Sequence, residues 1–274
     1  MPELPEVETV RRTLEPCCQG EKIVELHLLH PDVLLGGSLA EVKKAILGKK
    51  ILGISRQGKY LIVNLEENLH LVLHLRMTGR FVLAEAEDPI VKHTHVIFKL
   101  SNGKELRFID IRRFGRVELV RTENLTQVSG LRTLGPEPLS EEFNLEYFKA
   151  GLKKANRNIK ALILDQTFIA GLGNIYADEA LFQAKINPSR LAKDIKETEA
   201  THLHNAIKSV IDKAIEARGT TFRDYVDGRG EKGSFQNLLK AYGKGGTPCV
   251  DCGVILEKSR VAGRGTVFCP HCQE

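Results

Sequence analysis

Residues 249–272 read CVDCGVILEKSRVAGRGTVFCPHC and contain four of the six cysteines of this 274-residue chain. The four cysteines form two Cys-x2-Cys pairs that are separated by sixteen residues. A two-residue gap lets both thiolates of a pair face one metal ion, and two such pairs complete a tetrahedron. Because cysteine fills every position, the sequence predicts one structural Zn²⁺ with no open catalytic position. The predicted ligands are Cys249, Cys252, Cys269 and Cys272.

Two disulfides or free thiols are the alternatives to zinc, and a cytosolic location makes disulfides unfavourable. That location is inferred because the N-terminus lacks the basic segment and apolar core of a secretory signal. Between the cysteine pairs, residues 255–261 and 266–268 predict a β-hairpin with Arg264 near its tip. A basic residue on a rigid tip suits phosphate contact, although such hairpins also serve as structural or protein-binding modules. Cys17 and Cys18 have no partner pattern and are expected to pack in or near the first helix.

Upstream of the cysteines, apolar and polar residues alternate over much of Lys22–Val120. A period of two is typical of half-buried strands, and Asn102-Gly103 is a strong signal for a hairpin turn. Several short strands at regular spacing predict a β-sandwich or barrel. One helix over Glu3–Leu14 is predicted to precede them, because its apolar residues recur at helical spacing.

The composition changes at Gly135-Pro136-Glu137-Pro138, which predicts a linker. Helical spacing follows in four segments, at residues 145–155, 159–166, 174–184 and 197–217. A glycine-rich polar stretch, Gly219–Phe235, is too long for an ordinary connection and predicts a functional or disordered loop. The predicted fold is α+β and multidomain, with domains at residues 1–134, 144–236 and 237–274 and a linker at 135–143.

The charge of the chain is compatible with a polyanionic partner, since the net charge is +5 and the pI is near 8.8. The basic residues are clustered. Tyr147–Leu164 holds five of them and no acid, and Ile111–Arg116 holds three arginines. Taken alone, either cluster is better explained as a solvated face than as a binding site.

The N-terminus offers a second candidate for chemistry. Removal of Met1 would leave Pro2 with a secondary amine, which is far less basic than a lysine side chain and therefore more nucleophilic near neutral pH. Such an amine can attack a sugar C1′ and form an iminium ion. Glu3 and Glu6 stand beside it at the start of a helix, where they can relay protons. The alternative is that Met-Pro is a common beginning and that both acids cap the helix.

Both ends of the chain together resemble formamidopyrimidine-DNA glycosylases, and four internal motifs agree. The matching segments are PELPEVET at 2–9, DIRRFG at 110–115, LGPEPL at 134–139, GLGNIY at 171–176, AGRGT at 262–266 and the four cysteines. The resemblance implies an antiparallel β-sandwich with flanking helices, a helix–two-turns–helix domain and a C-terminal β-hairpin zinc finger. It also implies a bifunctional bacterial enzyme that excises 8-oxoguanine and formamidopyrimidines from double-stranded DNA and cuts the strand. A cytoplasmic monomer is expected, because one chain supplies every part of the site.

The resemblance also implies catalytic roles. Pro2 displaces the base and forms a Schiff base, Glu3 acts as acid and base, and Glu6 supports a proton relay. Lys59 contacts the lesion strand and assists β-elimination, whereas Arg264 binds phosphate and assists δ-elimination. The loop Gly219–Phe235 corresponds to a mobile cover for the flipped base.

The expected DNA contacts are Met77, His93, Arg112, Phe114, Lys154 and Asn174. Met77, Arg112 and Phe114 are expected to fill the vacated stack, with Arg112 facing the orphaned cytosine. The alternative for Met77 and Phe114 is the hydrophobic core. The alternative for Asn174 is a helix cap with no contact to DNA. His93 and His95 could instead bind a metal.

Two other functions are compatible with these residues. An endonuclease VIII-type enzyme would prefer oxidised pyrimidines, but the separated Met77, Arg112 and Phe114 favour the purine-specific family. A DNA-binding zinc protein without activity is the other alternative, and intact Pro2, Glu3 and Lys59 argue against it.

Overall fold

Alternating apolar residues form two β-sheets in the N-terminal part of the chain. A computed structural model describes residues 1–274. Its N-terminal elements, in chain order, are α1 Leu4–Cys18, β1 Ile23–Leu28, β2 Leu34–Leu35, α2 Leu39–Ile46, β3 Ile51–Gln57, β4 Tyr60–Leu65, β5 Leu69–His74, β6 Gly79–Ala84, β7 Thr94–Leu100, β8 Glu105–Asp110 and β9 Arg116–Arg121. One sheet has the order β1-β7-β8-β6 and the other has the order β2-β9-β5-β4-β3. All neighbouring strands are antiparallel except β2 and β9.

Both sheets share one hydrophobic core. Val96 and Phe98 of the first sheet and Leu61 and Val63 of the second are almost completely buried, at every second position of their strands. Helix α1 adds its own apolar stripe to the same core, including Val10. The sandwich that the sequence predicts is therefore confirmed.

The C-terminal part of the chain is helical and ends in a hairpin. Its elements are α3 Leu145–Lys154, α4 Ile159–Ile163, α5 Asn174–Ala184, α6 Glu197–Glu216, β10 Glu257–Val261 and β11 Arg264–Phe268. The side chain of Asn144 accepts a hydrogen bond from Tyr147 N at 2.9 Å and thereby caps α3. Helix α4 is shorter than predicted because Asp165 accepts a bond from Thr167 N and begins a turn.

The hairpin turn is tighter than predicted. Ala262 and Gly263 have φ angles of +53° and +70°, the geometry of a two-residue turn with both central residues left-handed. Arg264 is therefore the first residue of β11 and pairs with Val261.

Contacts divide the chain into two units. The first combines residues 1–132 with 217–234, and the second combines residues 133–216 with 235–274. The sequence placed residues 219–235 with the helices, whereas contacts group residues 217–234 with the N-terminal strands. The other predicted domain boundaries stay predictions. No helix is both long and apolar enough to cross a membrane.

Candidate functional site

Two buried carboxylates lie at the N-terminus of α1. Glu3 is 2% exposed and Glu6 is 1% exposed, and Pro2 beside them is also buried. Glu6 Oε2 accepts a hydrogen bond from Glu3 N at 2.8 Å, and the Glu3 side chain in turn accepts one from the Glu6 backbone. This reciprocal capping box satisfies two N–H groups at the helix start. Buried acids are costly, so a pair of them beside a candidate nucleophile is a feature of functional sites.

The glycine-rich segment of the first unit covers Glu6. Thr220 N donates to Glu6 Oε1 at 2.7 Å, and the Tyr225 hydroxyl donates to the carbonyl oxygens of Glu6 and Arg218 at 3.3 and 3.1 Å. Burial raises the pKa of the Tyr225 hydroxyl well above its ordinary value, so the group remains a donor. The segment is thus tied to the carboxylate that supports the N-terminus. Its mobility stays a prediction.

Gly219→Ala is expected to disturb this contact. Gly219 has a φ angle of +79°, and a Cβ there would lie 2.7 Å from Glu6 Oε1. Gly230→Ala is the matched control, because its φ angle is +83° and nothing lies within 4 Å of the added Cβ. Both changes add about 1 kcal/mol of backbone strain. We expect Gly219→Ala alone to slow single-turnover base excision, by about 10-fold, and equal rates in the two variants would contradict a role for the Glu6 contact.

Lys59 lies in the two-residue turn between β3 and β4 and is 7% exposed. Arg56 connects this turn to α1. Its Nη1 donates to the Gly58 carbonyl at 2.9 Å, and its Nε donates to Glu8 Oε2 at 3.0 Å. The turn that carries Lys59 is therefore fixed to the helix that carries Glu3.

Glu8 makes this connection dependent on pH. Burial raises its pKa, but hydrogen bonds from Arg11, Arg12 and Arg56 outweigh burial and lower the value from 4.5 to about 2. A depressed pKa stabilises the fold fully above about pH 4.5, and that stability is lost as the pH falls toward 2. Glu8→Gln is expected to lower the melting temperature by about 5 °C at pH 6 and by progressively less below pH 4.5. Exposed Glu87→Gln is the control, and a Glu8→Gln deficit that does not change with pH would contradict this explanation.

Met77 and Phe114 lie outside the core, with exposures of 39% and 50%. Met77 belongs to the connection from β5 to β6, and Phe114 belongs to the connection from β8 to β9. Both connections pass from one sheet to the other. They lie side by side, because β5 pairs with β9 in one sheet and β6 pairs with β8 in the other. The guanidinium carbon of Arg112 is 4.7 Å from the centroid of the Phe114 ring. The structure thus brings an exposed thioether, a guanidinium and an aromatic ring to one end of the sandwich.

His93 and His95 do not form a metal site. His95 is buried, and its Nε2 lies 2.7 Å from the Asp110 carbonyl oxygen. His93 has a φ angle of +69°, and its carbonyl accepts a bond from Asp110 N at 3.0 Å. Neither histidine belongs to a group of three or more metal-binding side chains. His93 stays a predicted DNA contact.

The four cysteines of the second unit converge. Their ligand atoms all lie within 4.8 Å of one another, and none is in a disulfide. A Zn–S distance of about 2.3 Å places tetrahedral sulfurs about 3.8 Å apart, which this cluster fits. Asp251 N and Cys272 N donate hydrogen bonds to the sulfurs of Cys249 and Cys269 at 3.4 and 3.3 Å, which helps to fix the positions of these two sulfurs. These residues suit one structural zinc ion.

A buried ion pair between Lys160 and Asp178, which the sequence did not predict, supports strand β11 just after Arg264. Lys160 Nζ lies 2.5 Å from Asp178 Oδ1, and neither side chain is exposed. Lys160 also donates to Thr266 Oγ1 at 2.7 Å and to the Gly265 carbonyl at 3.2 Å. Desolvation raises the pKa of Asp178 to about 6, and its Oδ2 accepts a bond from the backbone of β11.

Among the basic residues of 147–164, the sequence singled out Lys154 as a phosphate contact, and Lys154 is exposed near the end of α3. Asn174 begins α5 and donates to the Gly265 carbonyl at 2.9 Å. Nothing in the sequence separates buried Lys160 from its exposed neighbours, because its partner Asp178 lies on another helix.

Comparison with known proteins agrees with this arrangement. The profile of the formamidopyrimidine-DNA glycosylase N-terminal domain matches residues 1–117, and that of the formamidopyrimidine-DNA glycosylase H2TH domain matches residues 134–226. The profile of a zinc finger found in FPG and IleRS matches residues 246–274. The formamidopyrimidine-DNA glycosylase of Pelotomaculum thermopropionicum is 51% identical, and the match covers 100% of this chain and 99% of that protein.

Solved structures of DNA complexes have nearly the same fold as this chain. A Lactococcus lactis FPG mutant in complex with DNA containing Fapy-dG has a TM-score of 0.94 at 42% identity, with both chains fully covered. A structure of MutM with DNA containing carbocyclic 8-oxo-G has a TM-score of 0.92 at 42% identity and the same coverage. The fold and the cysteine site define a zinc-finger DNA glycosylase of base excision repair, which confirms the predicted class and the single structural zinc. The chain belongs to the formamidopyrimidine-DNA glycosylase family.

Proposed function

We propose that the protein excises oxidised purines, 8-oxoguanine and formamidopyrimidines, through an N-terminal proline Schiff base and then cuts the DNA by β,δ-elimination. The observation that carries this proposal is the pair of buried carboxylates, Glu3 and Glu6, directly beside Pro2. The substrates named in the structures of the Lactococcus lactis and MutM proteins support the purine assignment.

The first step requires the free amine of Pro2, and therefore removal of Met1. The proline nitrogen bonds to C1′ while the glycosidic bond breaks and the base leaves. The nitrogen, now bonded to C1′, gives up its proton. Protonation of the ring oxygen then breaks the bond from C1′ to that oxygen, and the freed nitrogen lone pair forms the iminium ion. Glu3 serves as the acid and base, because a buried carboxyl at this point can move protons to and from the reacting sugar. Glu6 holds the Glu3 backbone and links the N-terminus to Thr220.

The iminium ion acidifies the C2′ proton, and the electrons released by its removal break the bond from C3′ to its oxygen. Lys59 assists this β-elimination at the lesion strand. Arg264 binds the phosphate that leaves in the subsequent δ-elimination, and the zinc site fixes the hairpin on which Arg264 stands. The chemistry needs one copy of each residue, so we propose a monomer that acts in the cytoplasm on nucleoid DNA.

The lesion must leave the stack before C1′ can be attacked. Met77 and Phe114 suit the vacated space because they are exposed apolar groups, and Arg112 can donate to the orphaned cytosine. His93, Lys154 and Asn174 contact the phosphate backbone in this proposal. A helix N-terminus such as that at Asn174 attracts phosphate.

A side-by-side assay tests the proposal. Duplexes with 8-oxoguanine opposite cytosine and with thymine glycol opposite adenine are incubated with the protein, and nicking is followed with and without borohydride. We expect faster nicking of the 8-oxoguanine duplex and a borohydride-trapped adduct. Preference for thymine glycol would instead indicate an endonuclease VIII-type specificity, and binding without any adduct or nicking would indicate a non-enzymatic DNA-binding protein.

A further inference from the structure

Asp110 joins the two connections that carry the exposed Met77 and Phe114. Its side chain is completely buried at the end of β8. Oδ1 accepts bonds from the Thr78 hydroxyl at 2.5 Å and from Arg112 N at 3.2 Å. Oδ2 accepts a bond from Gly115 N at 2.7 Å. One carboxylate therefore holds both ends of the segment that presents the guanidinium and the aromatic ring.

The hydroxyl of Thr78 completes the link. It donates to Asp110 and also accepts a bond from Arg112 N at 3.1 Å. Thr78 directly follows Met77 in the chain, so a single side-chain oxygen connects the backbone that carries the thioether to the backbone that carries the guanidinium.

The two connections need such a link because both are strained. Arg76 and Arg113 have φ angles of +54° and +58°, which non-glycine residues rarely adopt. Residues in this region keep such a conformation when surrounding bonds enforce it. At the same time Arg112 and Phe114 are exposed, so little packing fixes them. Arg116 Nη1 donates to the carbonyls of Arg113 and Gly115, and the bonds to the Asp110 carboxylate and the Thr78 hydroxyl are the ones that hold the backbone of Arg112 itself.

We propose that Thr78 and Asp110 are positioning residues that set how strongly Arg112 reads the base opposite the lesion. This inference rests on the proposed function. A guanidinium matches the acceptors N3 and O2 of cytosine, whereas adenine presents a donor on the same edge. Discrimination between the two depends on where the Arg112 backbone is held, and the Thr78 hydroxyl and Asp110 carboxylate hold it.

The test compares Thr78→Val, which removes the hydroxyl at nearly constant shape, with Thr78→Ser, which keeps it. Single-turnover excision of 8-oxoguanine is measured opposite cytosine and opposite adenine. We expect Thr78→Val to reduce the cytosine-over-adenine rate ratio by about 10-fold, the scale of one lost hydrogen bond to a carboxylate. Thr78→Ser should restore the ratio. Exposed Thr122→Val is the matched control and should leave the ratio at the wild-type value.

Other results would overturn the proposal. An unchanged ratio in Thr78→Val would show that the hydroxyl does not govern the reading of the opposite base. An equal loss of rate opposite both bases, without rescue by Thr78→Ser, would show a purely structural role. If the wild-type chain excises 8-oxoguanine opposite both bases at the same rate, Arg112 does not discriminate and the inference fails with it. If the wild-type chain excises neither, the proposed function itself is wrong.

Discussion

Blocking the nitrogen of Pro2 is expected to abolish covalent capture of lesion DNA. A chain that keeps Met1, or any residue before Pro2, carries that nitrogen as an amide, whose lone pair is delocalised and not nucleophilic. Excision of 8-oxoguanine should fall by roughly 10³-fold or more, since loss of a catalytic nucleophile costs at least that much. The measurement is borohydride trapping together with the single-turnover excision rate.

The cleanest comparison uses one protein in two forms. A removable N-terminal tag is cut so that Pro2 becomes the first residue, and intact mass establishes the processing of each form. The tagged form should still bind lesion duplex, because the zinc hairpin and the exposed residues Met77, Arg112 and Phe114 are unaltered. Equal trapping by both forms would rule out Pro2 as the nucleophile and direct attention to Lys59.

Cys269→Ser is expected to remove the zinc ion and with it the fixed conformation of the hairpin that carries Arg264. Structural zinc sites of this kind supply about 10–16 kcal/mol of apparent binding free energy to the folded state, and a serine hydroxyl does not replace a thiolate. Cys269 is fully buried, so its loss also opens the small core beneath the hairpin. Zinc content should fall from one ion per chain to none, and affinity for lesion duplex should weaken by at least 10-fold.

Cys17→Ser is the matched control, because Cys17 lies outside the cluster on α1. It should retain one zinc ion per chain and wild-type DNA affinity. The affinity measurement should be made at several salt concentrations, since the loss of phosphate contacts flattens the dependence on salt. Full incision activity in zinc-free Cys269→Ser would show that the metal is dispensable for the function of the hairpin.

The features that the sequence predicted are local ones. Metal ligands two residues apart reveal themselves by spacing, and strands reveal themselves by alternation, as with Val96 and Phe98. The capping box of Glu3 and Glu6 is likewise a pattern of neighbours on one helix. Such features depend on residues a few positions apart, so their spacing is visible in the sequence.

Contacts between residues that are far apart in the chain produce no regular spacing in the sequence. Thr220 meets Glu6, Arg56 meets Glu8, and Lys160 meets Asp178, and in each pair the sequence gives one partner no indication of the other. The role of Thr78 was equally hidden, because a threonine in a turn is unremarkable until its hydroxyl is seen between Asp110 and Arg112. The assignment of residues to family motifs therefore predicts candidate site residues, but it does not predict the contacts that hold those residues in place.

The first unit takes its last segment, residues 217–234, from far along the chain. During synthesis, ribosomes that add about 5–20 residues per second need roughly 5–20 s to proceed from residue 132 to residue 234. Through most of that interval the backbone N–H of Thr220, which donates to Glu6 in the folded chain, has not yet been synthesised. A nascent chain therefore carries Pro2, Glu3 and Glu6 for several seconds before the hydrogen bond from Thr220 to Glu6 can form, so the surroundings of the N-terminus are completed late in synthesis.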